Sequence, residues 1–327
     1  MDEKIQKFFL RTYPGKIKIN EPLGRYTTFK IGGPADLFFD ARTTEELTEI
    51  VTAARKLSLP VFVLGGGTNI LIGDKGIRGM VVKNNTSTIV TRGARGEVIG
   101  GKSYSRVYVE ADSGVLINKL VRVTVDEGLA GLEMHLGLPG SVGGAVYMNS
   151  KWTHPDGYVG DAVYQAEILT PGGNIQTVPH SYFKFGYDMS HIQKSRDIVM
   201  RIVFSLIRDT KERLWTIANE SIAYRRQTQP QGVFSAGCTF KNISKTQAMT
   251  SHLPNGATSA GFLVDHAGCK GVHIGDAEIS TVHANFIINH GHATAVDVIQ
   301  LIDRAKEQVK RQYGVLLEEE IQRIGEF

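Results

Sequence analysis

The stretch that decides the fold is Val61-Phe62-Val63-Leu64-Gly65-Gly66-Gly67-Thr68-Asn69. Its four leading apolar residues predict a buried strand, which runs directly into three glycines. Glycine lets backbone N–H groups turn towards a diphosphate without obstruction by a Cβ atom, and Thr68 and Asn69 add side-chain donors. Because the segment is neither a Rossmann fingerprint nor a P-loop, a simple tight turn is an alternative interpretation.

The residues before this strand predict an amphipathic helix. Thr43 and Glu46 have the spacing of a capping box. The apolar stripe that follows consists of Leu47, Ile50, Val51 and Ala54. Farther along, the pattern predicts helices over 116–127, 211–226 and from Thr294 to Gly314, and strands near 163–170 and 198–206. This order of helices and strands is typical of an α/β or α+β protein.

Composition excludes several classes of protein. The chain has 327 residues, enough for two or three packed units, and its 42% hydrophobic and 21% charged content is that of a globular protein. The net charge of +4 comes without a cluster of Lys and Arg, so no nucleic-acid surface is expected. No apolar run reaches membrane-spanning length, and two cysteines make no disulfide framework. We expect a soluble protein of a reducing compartment.

A second glycine-rich segment is Gly137-Leu138-Pro139-Gly140-Ser141-Val142-Gly143-Gly144-Ala145. Its glycine content predicts an irregular loop rather than a helix or strand. Two such loops in one α+β unit can hold an extended dinucleotide between them. The pair therefore predicts a cofactor that contains phosphate.

Three further segments carry side chains with possible chemistry. Cys238 stands between Gly237 and Thr239; a free thiol titrates at about pH 8.5, so it could donate a proton, although a small core cysteine is the alternative. Three successive acids, Glu318–Glu320, lie near the C-terminus, and spacing alone selects none of them. His290 and His292 form an isolated His-x-His pair, and no metal site is expected from it.

Taken in order, these segments resemble the UDP-N-acetylenolpyruvoylglucosamine reductase (MurB) family along nearly the whole chain. The matching motifs lie at 27–35, 64–71, 131–133, 138–149 and 280–289. The resemblance implies that the first four of these motifs bind the cofactor. The residues so assigned are Thr28, Ile31, Gly32, Gly33, Leu64, Gly65, Gly66, Gly67, Thr68, Asn69, Ile70, Leu71, Gly131, Glu133, Pro139, Gly140, Ser141, Val142, Gly143, Gly144, Ala145 and Asn149.

The resemblance implies an α+β fold with a two-part FAD-binding domain of the vanillyl-alcohol-oxidase (PCMH) type at 28–208, split near 85. An N-terminal extension covers 1–27, and a smaller α+β substrate-binding domain covers 209–327. The implied cofactors are FAD and NADPH, and the substrate is a UDP-sugar, reduced to UDP-N-acetylmuramate for peptidoglycan synthesis. The short stretch between Leu206 and Arg225 resembles the shorter, second type of the family. A cytoplasmic monomer without nucleic-acid or membrane partners is expected.

The resemblance also implies catalytic residues. Cys238 stands where most members have the serine that donates a proton, and the tail Glu320-Ile321-Gln322-Arg323-Ile324-Gly325 selects Glu320 as the acid beside the reacting enol. Because cysteine is more acidic than serine, the role of general acid is retained. The residues implied to face the substrate are Tyr187, Arg225, Arg226, Lys241, Asn242 and His283.

One departure from the family bears on activity. The motif Phe-x-Tyr-Arg-x-Ser reads Phe185-Gly186-Tyr187-Asp188-Met189-Ser190, with Asp188 in place of the arginine that faces the substrate carboxylate. The exchange removes stabilisation on the order of several kcal/mol. Either Lys184 or Arg225 replaces the charge, or activity is weak. The alternatives are another flavin oxidoreductase of the same fold and a non-catalytic flavin- or UDP-sugar-binding protein.

Overall fold

The structure, a computed structural model, describes residues 1–99, 102–154, 156–251, 253 and 256–327. Within these residues the helices are α1 (Glu3–Thr12), α2 (Thr44–Lys56), α3 (Ile117–Asp126), α4 (Val142–Met148), α5 (Ile192–Ser195), α6 (Lys211–Thr228), α7 (Lys245–Thr250), α8 (Ala260–His266) and α9 (Ala295–Tyr313). In these residues, no helix combines the length and apolar character that crossing a bilayer requires.

The strands of the first half are β1 (Ile17–Pro22), β2 (Pro34–Ala41), β3 (Val61–Leu64), β4 (Ile70–Ile72), β5 (Ile77–Asn84), β6 (Ile89–Ile99), β7 (Lys102–Asp112), β8 (Leu129–Ala130), β9 (Lys151–Thr153) and β10 (Asp156–Tyr158). Those of the second half are β11 (Val163–Leu169), β12 (Ile175–Pro179), β13 (Ile198–Arg208), β14 (His273–Ile274), β15 (Ala277–Ile279), β16 (Ile287–Asn289) and β17 (Gln322–Ile324). Strands β1, β2, β5 and β3 form a four-stranded sheet in that order.

The chain forms two compact units. Unit 1 comprises Met1–Phe38, Gly67–Val81 and Arg226–Phe327, and unit 2 comprises Phe39–Gly66 and Val82–Arg225. Each unit has its own hydrophobic core of buried aliphatic and aromatic side chains. Burial of apolar side chains is the main stabilising contribution in each of them.

Unit 2 is built on an antiparallel sheet with the order β12-β11-β13-β7-β6, and β8 pairs with β13. Helix α3 covers this sheet with an apolar face whose fully buried residues include Leu120 and Val125. The predicted helix over 116–127 and the predicted strands near 163–170 and 198–206 are all confirmed.

Unit 1 contains the antiparallel sheet β14-β15-β16 and the parallel pair β4 and β17. Helix α9 buries Val298, Leu301 and Ile302 in the core of this unit. Thr294 and Asp297 form a complete capping box, and Gly314 ends the helix with a φ of 67°. The helix predicted between Thr294 and Gly314 is therefore confirmed, and its end at a left-handed glycine is a common way for a helix to stop.

Two local predictions need correction. Thr43 caps α2 as predicted, but Glu46 accepts the backbone N–H of Arg42 (2.9 Å) rather than that of Thr43. The segment 137–145 is not irregular throughout, because Ser141 caps α4 by accepting the N–H of Gly144 at 3.3 Å. A serine cap outweighs the low helix propensity of Gly143 and Gly144.

Candidate functional site

The two glycine-rich segments meet within unit 2. A Cβ atom at Gly66 would lie 2.5 Å from Cα of Gly140, and a Cβ atom at Gly65 would collide with Oγ of Ser141. Gly140 has a φ of 109°, which strongly favours glycine. The sequence therefore uses glycine here so that two backbones can approach closely. We call this pair of packed segments, Gly65–Gly66 and Gly140–Ser141, the cradle; backbone N–H groups of such glycine segments are suited to bind a diphosphate.

Lys83 adds a cation to this cradle. It lies at the end of β5, and its ammonium donates to the carbonyl of Gly65. Burial lowers the pKa of Lys83, an effect that Asp40 partly offsets. Motif reasoning missed this residue because a single lysine on a strand carries no recognisable spacing.

Arg225 lies beside the start of the second glycine segment. Its guanidinium stacks on the indole ring of Trp152, with 3.7 Å between Cζ and the ring centroid. A Cβ atom on Gly137 would come within 2.9 Å of Cδ of Arg225. The nearby His135 is fully buried, and burial, together with the positive charge of Arg225, lowers the pKa of its ring from 6.5 to about 4.

Other cofactor candidates of unit 2 hold the backbone in place. The buried carboxylate of Glu133 accepts the N–H of Gly131 at 2.6 Å. Asn149 ends α4 with a φ of 48°, donates to the carbonyl of Gly186 (2.9 Å) and accepts the N–H of Gly160 (3.1 Å). The remaining members are the buried Leu64, Val142 and Ala145, with Pro139, Gly143 and Gly144 beside them. Glu133 and Asn149 thus stabilise the backbone conformation of the loops that they contact.

Asp188 lies in a tight turn of unit 2. Gly186 and Met189 exchange two backbone hydrogen bonds (3.0 and 3.3 Å), so Tyr187 and Asp188 form the tip of the turn. Asp188 has a φ of 50°, a conformation that aspartate tolerates better than most residues. Asp188 is buried, whereas Tyr187 and Lys184 are exposed.

In unit 1, the first motif folds around backbone contacts. The N–H and Oγ1 of Thr28 both donate to the carbonyl of Gly67, at 3.0 and 3.3 Å. A Cβ atom on Gly33 would be 2.5 Å from the nitrogen of Gly76, and one on Gly32 would be 2.9 Å from Cβ of Ile72. These glycines are required for backbone packing, whether or not they also approach a ligand. Ile31 is buried.

The Cys238 segment is held by two other segments of unit 1 that are far from it in sequence. Its backbone forms a bridge with Phe286, and the next residue, Thr239, donates to the carbonyl of Asn285 at 2.7 Å. The carbonyl of Thr239 accepts the N–H of Glu320 at 2.8 Å. Cys238 and Glu320, both half-buried, therefore lie on adjacent backbone segments. The alternative of a fully buried core cysteine does not describe Cys238, although it does describe Cys269.

The structure gives the three C-terminal acids different environments. Glu319 pairs with Lys306 and with Arg323 (2.7 Å); burial alone would raise its pKa, but the hydrogen bonds from these two cations outweigh burial and lower it. Glu318 is largely exposed, with Lys241 at 3.8 Å. Glu319 is thus committed to a structural ion-pair network, and Glu320 is the half-buried acid next to the Cys238 segment.

The substrate candidates of unit 1 differ in how far they are already engaged. Oδ1 of Asn242 accepts the N–H of Ala260 at 3.0 Å, which anchors the start of α8. The ring of His283 packs over Gly261, and Nδ1 accepts the N–H of Asn285 at 3.2 Å; burial lowers its pKa. Arg226 is exposed, and Lys241 is half-buried.

The last candidates of unit 1 follow Gly67 in sequence. Ile70 and Leu71 belong to β4 and pair in register with Gln322 and Arg323 of β17. Nδ2 of Asn69 donates to the carbonyl of Glu320 at 3.1 Å. Residues 67–71 of the first glycine-rich motif and the C-terminal motif are therefore joined within unit 1, with Thr68 half-buried between Gly67 and Asn69.

Comparison with known proteins finds two family models that match successive parts of the chain. Residues 229–324 match the family model for the UDP-N-acetylenolpyruvoylglucosamine reductase C-terminal domain, and residues 35–179 match that of an FAD binding domain. The predicted α+β fold class is confirmed by these matches together with the observed elements.

Curated relatives and a solved structure cover nearly the whole chain. The chain is 36% identical over 312 residues to UDP-N-acetylenolpyruvoylglucosamine reductase of Halalkalibacterium halodurans, covering 95% of both chains. It is 38% identical over 311 residues to that of Moorella thermoacetica, covering 95% of this chain and 94% of the relative. A crystal structure of the enzyme from Thermus caldophilus matches with a TM-score of 0.73 and 32% identity, covering 94% of this chain and 98% of that one.

Proposed function

Because the chain belongs to the UDP-N-acetylenolpyruvoylglucosamine reductase family and is an FAD-dependent oxidoreductase, we propose that it reduces the enolpyruvyl group of its UDP-sugar substrate with NADPH. Bound FAD supplies hydride transfer from NADPH to the enolpyruvyl carbon. The product is UDP-N-acetylmuramate. The resemblance also supports a cytoplasmic location and the assignment of 28–208 to the cofactor and 209–327 to the substrate.

The cradle of unit 2 is proposed to hold the diphosphate of FAD. Gly66 brings its backbone close to that of Gly140, where a Cβ atom would lie 2.5 Å from Cα of Gly140, and Gly65 leaves room for Oγ of Ser141. The ammonium of Lys83 supplies a positive charge beside this backbone. The cradle thus fits a dianionic group by both shape and charge.

Cys238 is proposed to donate the proton that completes reduction of the double bond. The S–H bond breaks as a C–H bond forms on the carbon next to the one that takes the hydride, and the thiolate recovers its proton from water. Half-exposure of the residue permits this recovery. General-acid catalysis of this kind accelerates a reaction by roughly 10²- to 10⁴-fold.

Glu320 is proposed to lie beside the reacting enol. The observation that carries the assignment is the 2.8 Å hydrogen bond from the N–H of Glu320 to the carbonyl of Thr239, which fixes the acid next to the Cys238 segment. Commitment of Glu319 to Lys306 and Arg323 supports the choice of Glu320.

The substrate-facing set is proposed to include Tyr187, Arg225, Arg226, Lys241, Asn242 and His283. Asp188 does not supply the cation that the family motif places there. The stacking of Arg225 on Trp152 presents its guanidinium in a fixed orientation, which supports Arg225 as the replacement over the exposed Lys184.

An anaerobic flavin experiment tests the proposal. The FAD-loaded protein is reduced with one equivalent of NADPH, and UDP-N-acetylenolpyruvoylglucosamine is then added while absorbance of the flavin is followed. We expect the oxidised flavin spectrum to return as UDP-N-acetylmuramate forms. Flavin that is reduced but never reoxidised by the substrate would overturn the proposed reaction and would favour a binding protein. Flavin that stays attached after denaturation would instead favour another oxidoreductase of this fold.

A further inference from the structure

Three side chains with metal-ligand chemistry meet in unit 1. They are His273, Glu278 and His290, and one ligand atom from each lies within 4.8 Å of the others. Nε2 of His290 is 2.6 Å from Oε2 of Glu278, and Nε2 of His273 is 3.8 Å from the same oxygen. The two imidazole rings lie nearly parallel, with their centroids 5.7 Å apart.

The register of the sheet explains why the three side chains converge. His273 of β14 is directly opposite Glu278 of β15, and Glu278 is opposite Ile288 of β16. His290 follows Ile288 by two positions, so it projects from the same face of the sheet as Ile288. The N–H of His290 donates to the carbonyl of Asp276 at 2.9 Å, which holds its backbone against the turn between β14 and β15.

The donor set indicates which ion would bind. Two imidazole nitrogens and one carboxylate suit Zn²⁺ in a tetrahedral site whose fourth ligand is water, whereas Mg²⁺ and Ca²⁺ prefer oxygen ligands throughout. Neighbouring ligands of tetrahedral zinc are about 3.4 Å apart, since each lies at about 2.1 Å from the metal. The observed separations of 2.6 and 3.8 Å bracket this value.

Exposure and charge are compatible with the same ion. The side chains of His273 and His290 are about half exposed, so small ring rotations can open the 2.6 Å contact, while Glu278 is almost buried and fixes the position of the carboxylate. Two neutral imidazoles and one carboxylate also leave a net charge of −1 facing a dication.

We propose that His273, Glu278 and His290 form a Zn²⁺ site that ties strands β14 and β15 to the end of β16. The spacing of His290 and His292 in the sequence did not predict this site, because His273 and Glu278 are brought next to His290 by strand pairing. The neighbouring Asn289 donates its side-chain amide to the carbonyl of Phe29 (2.9 Å) and its N–H to the carbonyl of Phe234 (2.8 Å). Metal binding therefore stabilises a strand end to which two other segments of unit 1 are attached.

Titration of the tag-free full chain with Zn²⁺ tests the site. We expect one high-affinity ion per chain and a melting temperature that rises with zinc concentration but not with Mg²⁺. His273→Ala, Glu278→Gln and His290→Ala should each weaken binding by roughly tenfold or more, since loss even of a group that only orients a ligand has an effect of this size. His273→Ala is the cleanest of the three because its side chain is exposed, so the fold is retained.

His292→Ala is the matched control. It removes an exposed histidine from the same loop and retains the hydrogen bond from the backbone N–H of residue 292 to Oδ2 of Asp276. Zinc affinity should therefore equal that of the wild type. Cobalt gives an independent readout, because ligation by imidazole and carboxylate lacks the thiolate charge-transfer band in the near ultraviolet. Unchanged zinc affinity in all three ligand variants, a thiolate band, or no stoichiometric binding by the wild type would each overturn the proposal.

Discussion

The glycine cradle of unit 2 and the Cys238 segment of unit 1 are built by opposite structural means. In the cradle, Gly66 and Gly140 matter because they carry no side chain, so that backbone approaches backbone. Around Cys238, strand-like hydrogen bonds to Asn285 and Glu320 place side chains on neighbouring segments. We therefore expect an added side-chain atom to disturb the cradle, whereas the Cys238 segment should be disturbed by loss of the thiol.

The largest expected effect is that of Cys238→Ala. Removal of the proposed proton donor should slow flavin reoxidation by substrate by roughly 10²- to 10⁴-fold, the contribution of a general acid. Reduction of the flavin by NADPH should be unchanged, because no proton from Cys238 enters that half-reaction. Stopped-flow absorbance resolves the two half-reactions separately.

Cys238→Ser is the conservative control for that experiment. A hydroxyl keeps a donor at the same position and should retain most of the substrate-dependent reoxidation. Equal rates for Cys238→Ala and the wild type would remove Cys238 from the mechanism.

The second effect concerns acid stability of unit 2. The ring of His135 has a pKa of about 4 when folded and 6.5 when unfolded, so the unfolded chain binds the extra proton. The stability that unit 2 has with His135 neutral is fully present above pH 6.5 and decreases as the pH falls towards 4. The free energy of unfolding should change by about 3 kcal/mol over this range. His135→Gln should flatten this part of the pH profile.

Urea denaturation followed by tryptophan fluorescence measures that profile. Both tryptophans, Trp152 and Trp215, belong to unit 2, so the signal reports the unit that contains His135. The carboxylates contribute equally in the wild type and in His135→Gln, so the difference between their two pH profiles reports the histidine alone. Parallel curves between pH 4 and 6.5 would show that His135 does not titrate on unfolding.

Gly66→Ala tests the cradle directly. The new Cβ atom would lie 2.5 Å from Cα of Gly140, so the two segments must separate. Overpacking of this kind costs about 1–3 kcal/mol, and FAD affinity should fall by roughly tenfold to a hundredfold. Titration of the apoprotein with FAD, followed by flavin fluorescence, measures the change.

Gly172→Ala is the matched control in unit 2. Its Cβ atom would meet only Asn174 and Thr170 side-chain atoms at 3.8 and 3.9 Å, an ordinary contact. FAD affinity should therefore equal that of the wild type. If Gly66→Ala also binds FAD normally, the cradle tolerates side chains and is not a diphosphate site.

The smallest effect is that of Thr28→Val in unit 1. The substitution keeps the shape and the backbone hydrogen bond to Gly67 but removes the 3.3 Å bond from Oγ1. One such bond contributes about 0.5–1.5 kcal/mol, so thermal denaturation should show a small decrease in melting temperature. Thr177→Val, at an exposed position of β12, should cause no decrease. A decrease of equal size in both variants would show that the Thr28 hydroxyl makes no specific contribution.

Sequence patterns predicted the elements that local chemistry controls. The caps at Thr43 and Thr294 and the glycine at 314 identify helix ends because each satisfies or closes backbone groups nearby. The same reasoning was wrong at 137–145, because a serine cap started α4 despite three glycines around it. Propensity is a weak guide where a cap and tertiary packing act together.

The candidate site could be predicted only in part. Cys238 and Glu320 follow from motif resemblance, but their adjacency depends on pairing between segments separated by about eighty residues. Lys83, His273 and Glu278 lie on strands and His290 directly follows β16, so register sets the neighbours of each residue. No spacing along the chain encodes register, so neither Lys83 nor the histidine–glutamate cluster could be found from sequence.

The half-buried Lys83 has a consequence for how the protein acquires FAD. Burial lowers the pKa of its ammonium, and a diphosphate placed beside it would raise that pKa again. At a pH between the lowered pKa of Lys83 in the free protein and its raised pKa in the complex, loading of FAD should be accompanied by proton uptake, and FAD affinity should fall as the pH rises through this window. Calorimetry in buffers of different ionisation enthalpy would detect the proton, and Lys83→Met should abolish it. Within that window the pH, as well as the concentration of FAD, would set the fraction of the protein that carries FAD.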